Sequence, residues 1–466
     1  MQKPLLLRLT NLIFVILLPA LAVSAMVSFF QKSYISSYLL LSGAGFLYLT
    51  RRWSDFAKIT LILVCLVIYL AAYLTNVLLV FMQPRLEPSE QRLHAARRLG
   101  VTYDTRTRLQ MMAHLQEQGI DAVPVLSPHN LVLTGKSLPG PGRRLLPLGG
   151  IAQKTTVFCN ECGDYAIYQA DERGFNNPRG SWSQPPLDVL IIGDSYAHGA
   201  CVPPGDDLAS LLRRGDKKVL NLGYCGNGPL LELGGLREYA QALKPKVVLW
   251  MYYEGNDLID LARERNCSFL TRYLLDNSYS QDLIHQQAAI DLAWTDYLET
   301  SQAREEIKSC YYHYRSFLSF MRSFQLNKLT QTILEAYDSI SEYYYPKQVP
   351  SFRKIIIQAQ SLVNSWGGTL FFVYLPDYHR YAGKAMTYPL NQRDHILSMV
   401  QSLCIPLIDF HSTLSRLPDP LAAFPFRTNA HYNKEGYKML AQQIANSLKD
   451  SPPAGVANFP EAGGRP

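Results

Sequence analysis

The sequence predicts an α/β protein whose main domain has a flavodoxin-like, three-layer α/β/α fold with a five-stranded parallel sheet. Three observations lead to this prediction. Short apolar runs after residue 180 have the length of strands that are buried on both faces. Segments with the apolar spacing of helices separate these runs, and polar loops that contain glycine follow several of them. The predicted strands are residues 187–192, 219–222, 247–251, 369–374 and 406–409.

On the same grounds the chain divides into four regions. The sequence predicts a membrane anchor over residues 1–85. It predicts a juxtamembrane module over residues 86–180, whose function it does not reveal. The predicted α/β domain covers residues 181–450, and a disordered tail is predicted for residues 451–466. Within the domain, residues 259–366 are rich in tyrosine and have helical spacing. We expect a helical insertion there, since a structureless loop of that length is implausible.

The anchor prediction rests on three stretches without charged residues, 11–30, 33–50 and 59–84. Each is near the roughly 20 residues that a helix needs to cross a bilayer. The flanking lysines and arginines place the N-terminus in the cytoplasm, so three transmembrane helices leave everything after residue 85 outside it. We therefore expect a bacterial inner-membrane protein with a periplasmic α/β domain. A cleaved signal peptide is the alternative, but the other two stretches would still need a membrane.

Charge and cysteine content exclude some classes of function. The net charge of +7 is modest, and no block of basic residues alternates with aromatic ones, so nucleic acid is not an expected partner. Cys159 and Cys162 have the spacing of half a zinc site, but no second pair at ligand spacing supports it. We expect neither a metal nor another cofactor. An oxidising compartment would permit disulfides among the cysteines outside the anchor.

Four polar loops follow predicted strands, and parallel strands bring such loops to one edge of the sheet, where ligands of open α/β sheets bind. Ser195 opens the helix after the first strand, but serine is also a common helix cap, so this residue alone does not identify a site. The loops are GDSYAHG (193–199), NLGYCGNGP (221–229), YYEGNDL (252–258) and TNAHYNKEGY (428–437).

Together, in this order and spacing, the loops resemble the four sequence blocks of the SGNH hydrolases, also called GDSL hydrolases. This family includes esterases, lipases, carbohydrate acetylesterases and some acyltransferases. The resemblance covers residues 181–447 apart from the insertion. It implies that Ser195 is the nucleophile and His431 the general base. It also implies an oxyanion hole formed by the backbone N–H groups of Ser195 and Gly226 and by the side-chain amide of Asn256.

These residue types suit acyl transfer on physical grounds. A serine hydroxyl is a poor nucleophile unless an imidazole removes its proton during the attack. Negative charge develops on the carbonyl oxygen, and each fixed N–H donor that stabilises it contributes roughly 3 kcal/mol. Glycine at position 226 lets a backbone N–H approach that oxygen without a Cβ in the way.

The sequence departs from the family pattern just before His431. Many members carry an aspartate two or three residues earlier, which holds the imidazole in the orientation of a base. Thr428 and Asn429 occupy those positions here. Either a neutral acceptor such as the Asn429 side chain or a backbone carbonyl orients the imidazole, or a remote carboxylate such as Asp409 reaches it. In a third reading, the catalytic machinery is degraded.

Cys201 and Cys225 lie in the loops after two strands that should be neighbours. We expect a disulfide between them that braces the oxyanion loop. The expected function is that of a serine esterase acting on O-acyl esters, foremost acetyl esters, of envelope glycans or lipids. The alternatives are an O-acyltransferase that modifies a surface polysaccharide with a membrane acyl-donor partner, and an inactive glycan-binding scaffold.

Overall fold

The computed structural model describes residues 53–82, 88–183, 186–300, 348–383 and 389–450. The chain forms two compact units, residues 1–84 with 314–337 and residues 85–313 with 338–466.

Within the first unit, one helix, α1 (Asp55–Met82), is described. It overlaps the third predicted membrane span, 59–84, whereas the spans predicted at 11–30 and 33–50 lie outside the described residues. No helix in the described part of the chain has both the length and the apolar character that crossing a membrane requires.

The second unit begins with small elements over residues 88–180, which we call the N-terminal module. Its elements are α2 (Pro88–Arg98), α3 (Arg108–Glu117), β1 (Ala122–Pro124), α4 (Pro128–Leu133), β2 (Leu138–Gly140), β3 (Arg143–Leu145), β4 (Thr155–Val157) and β5 (Ile167–Gln169). β1 pairs in parallel with β4, β4 pairs antiparallel with β5, and β2 and β3 form a separate hairpin. Each strand here has three residues, so loops and side-chain contacts hold much of the module.

The α/β domain follows, and its five strands are β6 (Val189–Ile192), β7 (Val219–Asn221), β8 (Val247–Tyr253), β9 (Thr369–Leu375) and β10 (Leu407–Asp409). They form one parallel sheet in the order β10-β9-β8-β6-β7. This is the flavodoxin-type strand order, and it confirms the predicted five-stranded parallel sheet. The α-helices of four or more residues in this domain are α5 (Ser195–His198), α6 (Leu208–Arg213), α7 (Pro229–Gly235), α8 (Asp257–Glu264), α9 (Ser268–Leu275), α10 (Gln287–Glu299), α11 (Gln348–Ser365), α12 (Arg393–Ser402), α13 (His411–Leu414) and α14 (Lys434–Asp450).

Helices cover both faces of this sheet, and the central strand β6 shows how. Its side chains are all buried and alternate between the faces. Leu190 and Ile192 pack in the core beneath α7 and α11, whereas Val189 and Ile191 pack in the core beneath α6 and α14. A strand buried in this way reads as an unbroken apolar run, which is why the sequence revealed it.

The described part of the segment predicted as a helical insertion is mostly helical, with non-helical stretches at residues 265–267 and 276–282. It contains α9, α10 and α11, while residues 301–347 lie outside the described residues. Its last helix, α11, packs against β9 and contributes Phe352 and Ile355 to the core. The final part of the segment is therefore the ordinary crossover helix between β8 and β9. The tail at 451–466 also lies outside the described residues.

Candidate active site

Ser195 is the first residue of α5 and lies just beyond the end of β6. The chain can turn sharply there because residue 193 is glycine: a Cβ at this position would lie 2.7 Å from Cβ of Met251 and 2.8 Å from Cβ of Ala197. Asp194 caps α5, since its carboxylate accepts a hydrogen bond of 2.9 Å from the N–H of Tyr196. The capping role is thus taken by Asp194, and the Ser195 hydroxyl stays available for other contacts.

His431 lies 236 residues further along the chain, and its Nε2 is 2.8 Å from Oγ of Ser195. Two tyrosines around it hold the loop against α5. The ring of Tyr196 lies 4.8 Å from the imidazole, measured between centroids. The hydroxyl of Tyr437, on α14, donates a hydrogen bond of 3.0 Å to the carbonyl of Tyr196. The predicted nucleophile and base are therefore within hydrogen-bond distance.

The other side of the imidazole contacts a residue that the sequence did not reveal, Glu161. Its Oε2 accepts a hydrogen bond of 2.9 Å from Nδ1 of His431 and one of 2.8 Å from the N–H of the same residue. Because Nδ1 donates to this carboxylate, Nε2 is free to accept the proton of Ser195. Serine, histidine and glutamate thus form the hydrogen-bond chain of a catalytic triad.

Glu161 comes from the N-terminal module, between Cys159 and Cys162 in the motif CNEC. Nη1 of Arg92, on α2, is 3.9 Å from its Oε1, and the same Nη1 donates a hydrogen bond of 3.5 Å to the carbonyl of Asn429. Arg92 therefore contacts both the carboxylate of Glu161 and the loop that carries His431. The only sequence signal for this residue is an acidic side chain inside the CNEC motif, whose spacing otherwise points to its cysteines.

The charges of this group support one another. Burial opposes ionisation of Glu161, but the charge and hydrogen bonds of His431, together with the charge of Arg92, lower its pKa to about 2. Burial likewise disfavours the imidazolium, yet the charge and hydrogen bond of Glu161 raise the pKa of His431 above its ordinary value. At neutral pH the carboxylate is ionised and ready to stabilise a protonated imidazole.

The prediction that Asn429 or Asp409 orients His431 is wrong. The side-chain Nδ2 of Asn429 lies 3.5 Å from Nε2 of a different residue, His379. Asp409 ends β10, the edge strand, where it forms an ion pair with Arg393 and accepts a hydrogen bond from the N–H of His411. Two strands, β9 and β8, lie between β10 and β6, so Asp409 lies at the edge of the sheet, away from the end of β6 where Ser195 and His431 meet.

The predicted oxyanion donors follow adjacent strands. Ser195, Gly226 and Asn256 come after β6, β7 and β8, and β6 lies between the other two. Gly226 has φ of +79°, and a Cβ there would lie 2.9 Å from Cβ of His129, so only glycine fits. Within the described residues, the N–H groups of Ser195 and Gly226 have no protein acceptor. Their role as donors to an oxyanion stays a prediction.

Asn256 does not act as a side-chain cap. It is the residue before α8, but its side chain makes no capping hydrogen bond. Its Oδ1 is buried and has no hydrogen-bond partner in the described structure. Leaving a buried acceptor unpaired costs about 1–3 kcal/mol, which is the kind of cost that proteins accept at functional sites.

The predicted disulfide between Cys201 and Cys225 is wrong, because Cys201 is bonded to Cys159 and Cys225 is a free thiol. The N-terminal module packs against the residues that follow α5, which brings Cys159 to Cys201 in a shared apolar cluster. The loop of Cys225 is instead held by hydrogen bonds to side chains, among them those of Ser127 and His198. The observed disulfide ties the segment that carries Glu161 to the loop that follows the nucleophile helix.

One group in the described part of the chain has metal-ligand spacing, with ligand atoms of Glu161, Cys201 and His431 all within 4.8 Å of one another. Its chemistry does not suit a metal. The sulfur of Cys201 is bonded to Cys159, so it is no thiolate, and the other two residues bind each other. The same disulfide removes Cys159 from the half zinc site considered from the sequence.

Comparisons with known proteins give a fold-level likeness. No protein-family model and no curated protein sequence matches the chain. The structural neighbours include GDSL hydrolases. A lipolytic protein of the G-D-S-L family from Desulfitobacterium hafniense has 13% identity and a TM-score of 0.32, and the match covers 56% of this chain and 99% of that one.

Two further solved structures give similar values. A lipase/acylhydrolase from Enterococcus faecalis has 13% identity and a TM-score of 0.31, over 57% of this chain and 96% of that one. An acetyl xylan esterase has 10% identity and a TM-score of 0.31, over 56% of this chain and 100% of that one. Such low values carry no argument, so the roles inferred for this chain rest on its own geometry.

Proposed function

We propose that this chain is a serine esterase that acts through an acyl-Ser195 intermediate. The observation that carries the proposal is the hydrogen-bond chain from Ser195 through His431 to Glu161, with contacts of 2.8 and 2.9 Å. The missing acidic residue was the reason to consider an inactive scaffold. Glu161 supplies that residue, so the esterase is the better account.

The mechanism follows from the positions of the protons. As Ser195 Oγ attacks the carbonyl carbon of an ester, its proton passes to Nε2 of His431. The carbonyl oxygen becomes negative, and the N–H groups of Ser195 and Gly226 with the amide of Asn256 stabilise it in the proposed site. His431 then gives its proton to the departing alkoxide, which leaves an acyl-Ser195 ester. Water activated by the same imidazole hydrolyses this ester.

Glu161 contributes at the points where His431 is protonated. Its carboxylate accepts the hydrogen bond from Nδ1, which fixes the tautomer before the attack and stabilises the imidazolium after it. A neutral side chain at this place would still accept a hydrogen bond but would not offset the positive charge. The carboxylate therefore lowers the barrier to both attack steps.

We also propose an extracytoplasmic location and an O-acylated glycan or lipid of the cell envelope as substrate. The disulfide between Cys159 and Cys201 suits an oxidising compartment, and the uncharged stretches before residue 53 suit an anchor. Proteinase K added to spheroplasts should degrade the α/β domain while a cytoplasmic marker stays intact. Protection of the domain until detergent is added would contradict this location.

The activity is tested with a fluorophosphonate, which labels activated serines. We expect labelling of the native chain and of Ser365→Ala, an exposed serine on α11, but no labelling of Ser195→Ala. The native chain and Ser365→Ala should also hydrolyse p-nitrophenyl acetate, whereas Ser195→Ala should not. Absence of labelling in correctly folded native protein would rule out the esterase. If product forms only when an oligosaccharide acceptor is added, the chain is a transferase.

A further inference from the structure

A second set of contacts joins the N-terminal module to the loop of Gly226, and it centres on a peptide group. The hydroxyl of Ser127, the residue before α4, donates a hydrogen bond of 2.6 Å to the carbonyl oxygen of Cys225. That carbonyl belongs to the same peptide plane as the N–H of Gly226. Because a trans peptide is planar, its C=O and N–H point in opposite directions. Fixing the carbonyl end therefore fixes the direction of the Gly226 N–H.

The preceding peptide is held by His198, three residues after the nucleophile on α5. The N–H of Cys225 donates a hydrogen bond of 3.1 Å to Nδ1 of this histidine. A backbone N–H can only donate, so Nδ1 carries no proton and the proton is on Nε2. Nε2 in turn lies 2.8 Å from the hydroxyl of Tyr168 on β5, to which it donates.

The surroundings of His198 keep it in this state. Its side chain is 0% exposed and lies between the rings of Phe158 and Tyr224, with centroid distances of 4.3 and 4.5 Å. Burial lowers the pKa of His198 to about 3, so the imidazole is neutral at any pH where the protein would act. A neutral ring with a single tautomer is a fixed hydrogen-bond acceptor for the Cys225 amide.

The other end of the loop is anchored independently. The carboxylate of Glu264, on α8, accepts hydrogen bonds from the N–H groups of Gly228 and Leu230, at 2.8 and 2.7 Å. The peptide between Cys225 and Gly226 is therefore the part of the loop whose orientation depends on Ser127 and His198. Glycine at 226 gives this peptide conformational freedom that the two contacts must remove.

We propose that Ser127 and His198 are positioning residues that hold the Cys225–Gly226 peptide so that the Gly226 N–H faces the carbonyl oxygen of the bound ester. The inference rests on the proposed esterase function and extends it, because it makes the N-terminal module responsible for an oxyanion donor as well as for Glu161. The hydrogen bond to the carbonyl also polarises the peptide, which strengthens its N–H as a donor.

The test uses Ser127→Ala. The Ser127 side chain makes no capping hydrogen bond to α4, so the substitution removes only the contact with Cys225. Losing an oxyanion donor outright costs about 10²- to 10³-fold in kcat, and we expect a misdirected donor to cost about 10-fold, with KM unchanged. The matched control is Thr134→Val, which removes a hydroxyl that donates to the carbonyl of Asn130 at the other end of α4.

A comparison of an ester with its thionoester isolates the oxyanion step. Sulfur is a weak hydrogen-bond acceptor, so an enzyme that depends on oxyanion donors prefers the oxygen substrate. We expect this preference to shrink in Ser127→Ala and to be unchanged in Thr134→Val. The ratio is independent of the fraction of folded enzyme. It therefore separates positioning from loss of structure.

His198 variants provide a second, independent check. In His198→Asn the Oδ1 atom takes the place of Nδ1 and can accept from the Cys225 N–H, so most of kcat and of the oxygen preference should remain. His198→Leu should lose both, while the pH midpoint set by His431 stays the same. An active native enzyme whose oxygen preference is equal in all these variants would overturn this inference alone. A native enzyme without Ser195-dependent activity would overturn the proposed function and this inference with it.

Discussion

The α/β domain and the N-terminal module hold their parts of the site by different means. In the α/β domain, Ser195, Gly226 and Asn256 follow three adjacent strands whose backbones are hydrogen-bonded in parallel register. In the module, Glu161 lies on an irregular segment between strands of three residues. A disulfide, the ion pair with Arg92 and the contacts with His431 hold it there.

The site is therefore composite. The sheet positions Ser195, the proposed nucleophile, and a hydrogen bond from Tyr437 on α14 to the carbonyl of Tyr196 links α14 to α5 near His431, the proposed base. The proposed acidic member, Glu161, depends on a few contacts from outside the sheet. Changes on the two sides should therefore differ in size. Removing Ser195 or His431 should nearly abolish activity, while changes in the module should reduce it by smaller factors.

The largest effect is expected from His431→Ala on the sheet side. Loss of the general base should lower kcat by about 10⁴- to 10⁶-fold, because the Ser195 proton then has no acceptor. The measurement is steady-state hydrolysis of p-nitrophenyl acetate. His395→Ala, on α12, is the matched control and should keep native activity. A His431→Ala enzyme within tenfold of the native one would exclude a serine–histidine mechanism.

On the module side, Glu161→Gln should lower kcat by about 10²- to 10⁴-fold while KM changes little. The amide has nearly the shape of the carboxylate but carries no charge for the imidazolium. Asp164→Asn, three residues away and exposed, is the control in the same segment and should be neutral. Asp409→Asn should also be neutral. If instead Asp409→Asn were damaging and Glu161→Gln harmless, the assignment of the acidic residue would be wrong.

The smallest effect should come from the disulfide that holds the module segment. It closes a loop with a sequence separation of 42, which in the chain-entropy model contributes about 4 kcal/mol to the free energy of unfolding. The variant with serine at both Cys159 and Cys201 should have a lower Tm and a kcat reduced by about 3- to 10-fold, since Glu161 would be less well placed.

Cys404→Ser, an exposed free cysteine, is the control for that variant and should change neither quantity. Lower stability with native kcat in the double-serine variant would show that the disulfide stabilises the fold but does not place Glu161. Substitution of Arg92 would then test whether its ion pair with Glu161, rather than the disulfide, places the carboxylate.

The sequence predicted the sheet side of this comparison well. A strand that is buried on both faces is a continuous apolar run in the sequence, so β6 and β8 could be predicted. The blocks around Ser195 and His431 could be recognised by their residues and their order along the chain. The strand order and the distance between these two residues agree with what the sequence led us to expect.

The module side could not be predicted because its contacts have no local pattern. Glu161 is 270 residues from His431 along the chain, and the sequence around it does not distinguish it from acidic residues on the protein surface. The pairing of Cys159 with Cys201 depends on how the module packs against α5, which sequence spacing does not determine. The sequence points instead to residues near His431 or at the end of β10, because the last block and the predicted strand can both be recognised in it.

The most direct test of the composite site is the pKa of His431, measured by ¹⁵N NMR titration in the native protein and in Glu161→Gln. Burial and Arg92 lower this pKa in both proteins and Asp194 raises it in both, so the difference reports the charge of Glu161. Glu161 has a pKa of about 2 and stays ionised throughout the titration. We predict a native pKa above 6.5 that falls clearly in Glu161→Gln, with the acid limb of kcat/KM moving to lower pH alongside it. Equal pKa values in the two proteins would contradict the claim that the N-terminal module supplies the carboxylate of the site.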